Sequence, residues 1–325
     1  MKKSKYLIVQ GVAGSGKTSA ALQRVAYLLY RYINDITADH IMLFSPNPLF
    51  NSYVSTVLPE LGEENMQQTT FQAYLNKRLG KQYTIEDPFA QLERLLTDDN
   101  VSDLEEIRYK ASLSFMTLID DYIKRLSDEK LIFRPIRFRG SFLFTDNQIK
   151  DYFYSLDRAN SISNRMQLVK EWLVRSLAQM ERDERKKDWV SDEIELLDED
   201  TYHAVSLEMK KESEYEDTFD DFEREESKLA KILVARQFQP LKQAVKQMKF
   251  IDVNSLYRQL FTVDELFQLP QHAQKLPPNW QQICADTSKR MKKKQLHYQD
   301  TTPLLYLQDQ LEGKKSEHVH SPFIY

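Results

Sequence analysis

The chain has 325 residues, 29% charged and 41% hydrophobic, a globular balance with enough length for a sizeable core and two domains. No run of about 18 apolar residues occurs, which excludes a membrane-spanning helix, and a formal net charge of −4 excludes a uniformly polybasic nucleic-acid binder. The opening Met1-Lys2-Lys3-Ser4 runs straight into an apolar stretch and predicts no secretory signal, while a lone Cys284 cannot close an internal disulfide and predicts a reducing cytoplasm.

Tyr6-Leu7-Ile8-Val9-Gln10 is a short apolar run of the kind that forms a buried parallel strand. Next comes Gly11-Val12-Ala13-Gly14-Ser15-Gly16-Lys17-Thr18, which holds three of the chain's 7 glycines. Leu22, Val25, Ala26, Leu29 and Tyr30 then recur at i, i+3, i+4, i+7 and i+8, which predicts an amphipathic helix. Ile41-Met42-Leu43-Phe44 predicts a second buried strand, stopped by Pro46 and Pro48, and Met66 to Thr70 a third. Strand, helix and strand in this order begin a right-handed βαβ unit.

From Leu104 the alternation stops. Leu104, Ile107, Ala111, Phe115, Leu118, Ile119, Tyr122 and Leu126 keep a helical period. Arg134 to Phe144 predicts a hairpin turning at Gly140, and Thr145-Asp146-Asn147-Gln148 has the form of a capping box that restarts a helix. Residues 159–187 and 226–249 predict further long helices. The acidic stretch 192–226 between them is expected to be a solvated, partly disordered loop. The fold class expected is α/β: an incomplete parallel sheet of P-loop NTPase (RecA-like) type over residues 1–90, a large, mainly helical insertion over 91–285, and a return towards the first domain over 286–325.

Gly11 to Thr18 meets G-x-x-x-x-G-K-[ST] in full. Glycines there let successive backbone N–H groups point at phosphate oxygens, and the following helix adds its N-terminal dipole to the same anion site. Lys17 would reach the β- and γ-phosphates of ATP, and the Thr18 hydroxyl would complete the shell of a nucleotide-bound Mg²⁺. Asn76-Lys77-Arg78-Leu79 comes nearest to a guanine-reading motif and lacks its aspartate. No second glycine cluster supplies a transporter-type signature. A small-molecule kinase stays open.

Three further stretches carry a family resemblance. Leu7 through Thr18 resembles the first motif of UvrD/Rep-type superfamily 1 helicases, in particular the HelD (helicase IV-like) branch. Leu43-Phe44-Ser45-Pro46-Asn47-Pro48-Leu49-Phe50 resembles that branch's motif Ia, and Gln68-Thr69-Thr70-Phe71 its motif Ib. His297-Tyr298, Thr302 through Leu307 and Leu311-Glu312-Gly313 resemble the stretch ahead of motif II. The resemblance implies two RecA-like motor domains with ATP between them. It implies Ser45, Asn47, Thr69 and Phe71 on a surface for single-stranded nucleic acid, DNA in the motor. It also implies RNA polymerase as partner, reached by an arm formed from the insertion.

The family's adenine-reading glutamine motif lies upstream of the first strand, and its N-terminal arm is missing here. Ser19 stands where many members have arginine, and Lys314 to Tyr325 lacks the Asp-Glu-Ala-Gln-Asp of motif II. The expectation is the ATP-binding front portion of a HelD-like motor, with hydrolysis belonging to the whole parent. The alternatives are part of an ordinary 3′–5′ DNA helicase and a non-hydrolysing polymerase-binding module.

Val263-Asp264-Glu265 imitates a metal-holding strand end, but Leu256, Tyr257, Leu260 and Phe261 carry a helical period into it, and Thr262 predicts a helix cap. Asp192-Glu193 and Asp183-Glu184 have no apolar strand before them. Lys289 to Lys294 is expected to be a solvated helix face, and Phe133, Phe138, Phe142 and Phe144 the packing of the hairpin. No histidine, the His318/His320 pair included, has partners at zinc spacing, so no metal beyond nucleotide-bound Mg²⁺ is expected.

Overall fold

A computed structural model describes residues 7–50, 67–97, 101–212, 219–313 and 323–324. The glycine-rich stretch leads into α1 (Lys17–Arg31), then β1 (Ile41–Ser45), β2 (Gln67–Thr70), α2 (Phe71–Leu79) and β3 (Thr84–Ile85). Helices α3 (Pro88–Thr97), α4 (Val101–Lys110) and α5 (Leu113–Asp128) precede a hairpin of β4 (Ile136–Phe138) and β5 (Ser141–Phe144). There follow α6 (Asp146–Ser155), α7 (Ile162–Glu184), α8 (Asp188–Ile194), α9 (Glu199–Glu212), α10 (Phe219–Lys246), α11 (Val253–Leu260), α12 (Asp264–Phe267) and α13 (Pro270–Ala273). The last elements are α14 (Trp280–Lys292), β6 (Gln295–Leu296), α15 (Tyr298–Glu312) and β7 (Phe323–Ile324). The class is mixed α/β, mostly helical, with small parallel sheets.

The chain divides into two units. Met1–Met116, Gln274–Asp309 and Lys314–Tyr325 form one, and Thr117–Ala273 with Gln310–Gly313 the other. Helices α3, α4 and α14 lie in the first unit.

In the first unit β1 is the central strand of a parallel sheet in the order β2-β1-β7. Ser45 pairs with Thr70, and Ile41 with Phe323. Helix α1 covers the sheet with Leu22, Val25 and Leu29, packed with Ile36 and Ile41. The expected apolar stripe is thus real at these positions, but Tyr30 points to solvent.

The strand expected at 6–10 is not present over its described residues. Residues 7–10 form no ladder, and Leu7, Ile8 and Val9 are 53%, 84% and 44% exposed. An apolar run makes a buried parallel strand only when flanked by strand edges and covered on both faces. Among the described residues no strand pairs with it. Tyr6 lies outside the described residues, as do His318 and His320.

In the second unit the hairpin forms as expected, with Arg139 (φ 47°) and Gly140 (φ 82°) in its two-residue turn. That is the left-handed pair a tight hairpin favours. Phe133, Phe138 and Phe144 are buried, Phe138 against Phe238 at 4.6 Å between ring centres, while Phe142 is exposed beneath the Arg137 guanidinium. Thr145 and Gln148 make the expected capping box at the head of α6. The long α7 and α10 pack side by side, with α8 and α9 also against α10.

Two expectations fail here. The acidic stretch is largely helical: α9 buries Val205 and Met209, and only residues 213–218 fall outside the description. Periodic apolar positions within it outweigh its net charge. The period running from Leu104 breaks at Ala111-Ser112, where α4 ends and α5 begins, and Leu104 is exposed.

Candidate functional site

The loop begins with the Ser15 N–H donating to the Val12 carbonyl at 3.2 Å, and α1 starts as the Ala20 N–H donates to Gly16 at 2.9 Å. Gly14 and Gly16 both hold φ of 78°, a left-handed conformation that costs an L side chain on the order of 1–2 kcal/mol. At Gly11 an added Cβ would stand 2.4 Å from the Ser15 hydroxyl oxygen, so the Ser15 side chain would have to turn away to admit it.

Gly16 is the N-cap of α1 and brings no side-chain acceptor, and no acidic residue occupies the first turn. The leading N–H groups of a 15-residue helix thus keep their positive end uncompensated by side chains, which is the condition an anion site requires. Gly11 to Gly16 and Thr18 are exposed, Thr18 on the first turn of α1. Lys17 folds back over the loop: its Nζ donates to the carbonyl oxygens of Gly11 (2.7 Å) and Val12 (2.6 Å). An uncapped helix terminus and a cation thus meet on one exposed turn, a combination that suits an anion such as a polyphosphate.

The residues expected on the nucleic-acid surface lie at the carboxyl ends of β1 and β2, the edge where parallel sheets bind ligands. They are not equivalent. Ser45 is buried, and its hydroxyl faces the carbonyls of Asn47 (3.2 Å) and Thr69 (3.5 Å), so it ties the two strand ends together instead of facing outward. Asn47 is exposed, and its Oδ1 accepts from the Phe50 N–H at 2.9 Å. The Thr69 hydroxyl donates to the Thr70 carbonyl, and Thr70 caps α2.

Phe71, 38% exposed, does present a ring, backed by Phe44 (6.2 Å, 63° between planes) and Tyr74 (6.4 Å, 24°). Sequence reading missed Tyr74 and Arg78, although Phe71, Tyr74 and Arg78 fall at i, i+3 and i+7 on one face of α2.

A second concentration of charge in the first unit is matched internally. The buried Lys110 ammonium donates to Glu106 (2.7 Å), Asp300 (2.5 Å) and Thr287 (2.7 Å), and Arg290 also donates to Glu106. Burial would raise the Glu106 carboxyl, but Lys110 and Arg290 overcome that and hold it at about 2. This cluster fastens α4, α14 and α15 together and is a structural element. It also draws Arg290 out of the expected solvated face, whereas Lys289 and Lys292 to Lys294 stay exposed.

Asp264 and Glu265 open the short helix α12 and end no strand. Thr262 is not its cap: Val263 holds that position, while the Thr262 hydroxyl donates back to Gln259 at 2.8 Å. Among the described residues no group of three His, Cys, Asp or Glu is placed to hold a metal. No helix among them is long and apolar enough to cross a membrane. No protein-family model matches the chain, and no curated protein matches it.

Proposed function

We propose that this chain binds ATP with Mg²⁺ through Gly11 to Thr18 and serves as the front motor portion of a HelD-like superfamily 1 protein. The observation that carries the nucleotide reading is the left-handed turn at Gly14 and Gly16 running into the uncapped terminus of α1, with Lys17 folded over the loop. Lys17 then exchanges its two carbonyl acceptors for β- and γ-phosphate oxygens, and Thr18 meets the nucleotide's Mg²⁺. A fluorescent ATP analogue titrated into the protein with Mg²⁺ tests this: saturable binding that Lys17→Ala removes is expected. Affinity that survives that change sinks the assignment.

The helicase and polymerase parts of the reading rest on the sequence resemblance of residues 7–18, 43–50, 68–71 and 297–313. The exposed Phe71 at the strand ends supports a single-stranded nucleic-acid surface, with Asn47 beside the same edge. In this reading the helical second unit is the arm that meets RNA polymerase in a cytoplasmic setting. Co-purification of polymerase with the full chain, lost when α8–α10 are replaced by a short linker, is the expected result. Strand separation by the parent protein without any polymerase association would favour an ordinary DNA helicase.

A further inference from the structure

The nucleic-acid reading leaves unexplained why so much side-chain structure backs one exposed ring. Tyr74 stands edge-on to Phe44 (5.4 Å, 87°) and nearly parallel to Phe71. Its hydroxyl accepts from Arg78 Nη1 at 2.8 Å, and the same guanidinium lies over its ring at 5.7 Å. Arg78 Nη2 in turn donates to Asp309 Oδ1 at 2.6 Å, on α15. Burial would lower the Arg78 pKa, but Asp309 and Tyr74 leave it raised, so the cation is held charged in place. Leu75 and Leu79 are the buried residues of α2, Tyr74 and Arg78 are half-buried beside them on the same stripe, and Phe71 stands exposed at its start.

We propose that Tyr74 and Arg78, anchored by Asp309, are positioning residues that fix the Phe71 ring as a stacking platform for a base of single-stranded nucleic acid. The inference rests on the nucleic-acid reading above and goes further by naming what holds the platform. A ring fixed in advance loses little freedom when a base stacks on it, and stacking tolerates any base because every base has a π-face. The hydroxyl–guanidinium–carboxylate relay supplies that fixing from a helix remote in sequence.

The test compares fluorescence anisotropy of labelled oligothymidylate with that of an abasic strand of equal length. The wild-type chain should bind the base-bearing strand roughly tenfold more tightly, and Phe71→Ala should equalise the two. Tyr74→Phe keeps the ring, breaks only its link to Arg78 and should narrow the preference with the salt slope and the melting temperature unchanged; Asp309→Asn should narrow it likewise, with a lowered melting temperature. Full preference retained in both variants, with Phe71→Ala still equalising the strands, overturns the positioning role and leaves the surface reading standing. A wild-type chain that binds neither strand, or both equally, overturns both.

Discussion

The Lys17 ammonium donates to the Val12 carbonyl oxygen at 2.6 Å, so the loop's cation is tied to the loop's own backbone. A polyphosphate must draw it away, and the gain comes from charge-assisted bonds to phosphate that are about twice as strong as bonds to neutral acceptors. Lys17→Ala should remove measurable Mg²⁺-ATP binding, by isothermal calorimetry. The melting temperature in the absence of nucleotide should hardly move, since both lost bonds are at the surface.

Gly16→Ala probes the turn itself. The site has open space around an added Cβ, but φ of 78° does not suit alanine, so the cost is conformational. A loss of about 1–2 kcal/mol in folding stability is expected from urea unfolding, together with loss of nucleotide binding. Binding that persists at wild-type strength would show that the left-handed turn is not needed for the anion site.

The Glu106 carboxyl sits between Lys110 and Arg290 and titrates far below its ordinary 4.5, at about 2. A carboxyl depressed in the folded state stabilises the fold fully above its unfolded pKa, and that contribution drains away as pH falls towards the folded value. Glu106→Gln leaves Asp300 as the buried Lys110's remaining carboxylate and should cost roughly 1–3 kcal/mol at pH 7. The gap between wild type and variant should narrow as pH falls from about 4.5 towards 2. Thermal melts across that range check it, and a gap that widens in acid would contradict the assignment.

Thr145→Ala removes the acceptor that caps α6, whose hydroxyl takes the Gln148 N–H at 3.2 Å. About 1 kcal/mol should be lost from the stability of the second unit, and Thr145→Ser should restore most of it. Hydrogen exchange at Gln148 reports the cap directly.

How much was legible depended on the range of the interaction. The P-loop pattern, the Gly140 turn and the Thr145 cap are readable because each depends on a few adjacent backbone angles. Period was a good guide where a helix had a core to face, as at Leu22, Val25 and Leu29, and a poor one at its margins, as at Tyr30 and Leu104. Composition misled over the acidic stretch, because Val205 and Met209 fold a helix that net charge does not reveal. Ser45 was chosen by motif, and only its burial shows that its hydroxyl serves the strand ends.

Sequence alone determined the left-handed glycine turn, the helix after it, β1, β2 and the hairpin, since glycine geometry and side-chain period are local properties. Only the tertiary structure decided that Phe323 joins Ile41 in the sheet, that Leu7 to Val9 stand exposed, that Arg290 turns inward to Glu106, and that Asp309 reaches Arg78. Each of those depends on which distant edges and charges meet, and burial and pairing of that kind are settled by the packed chain as a whole.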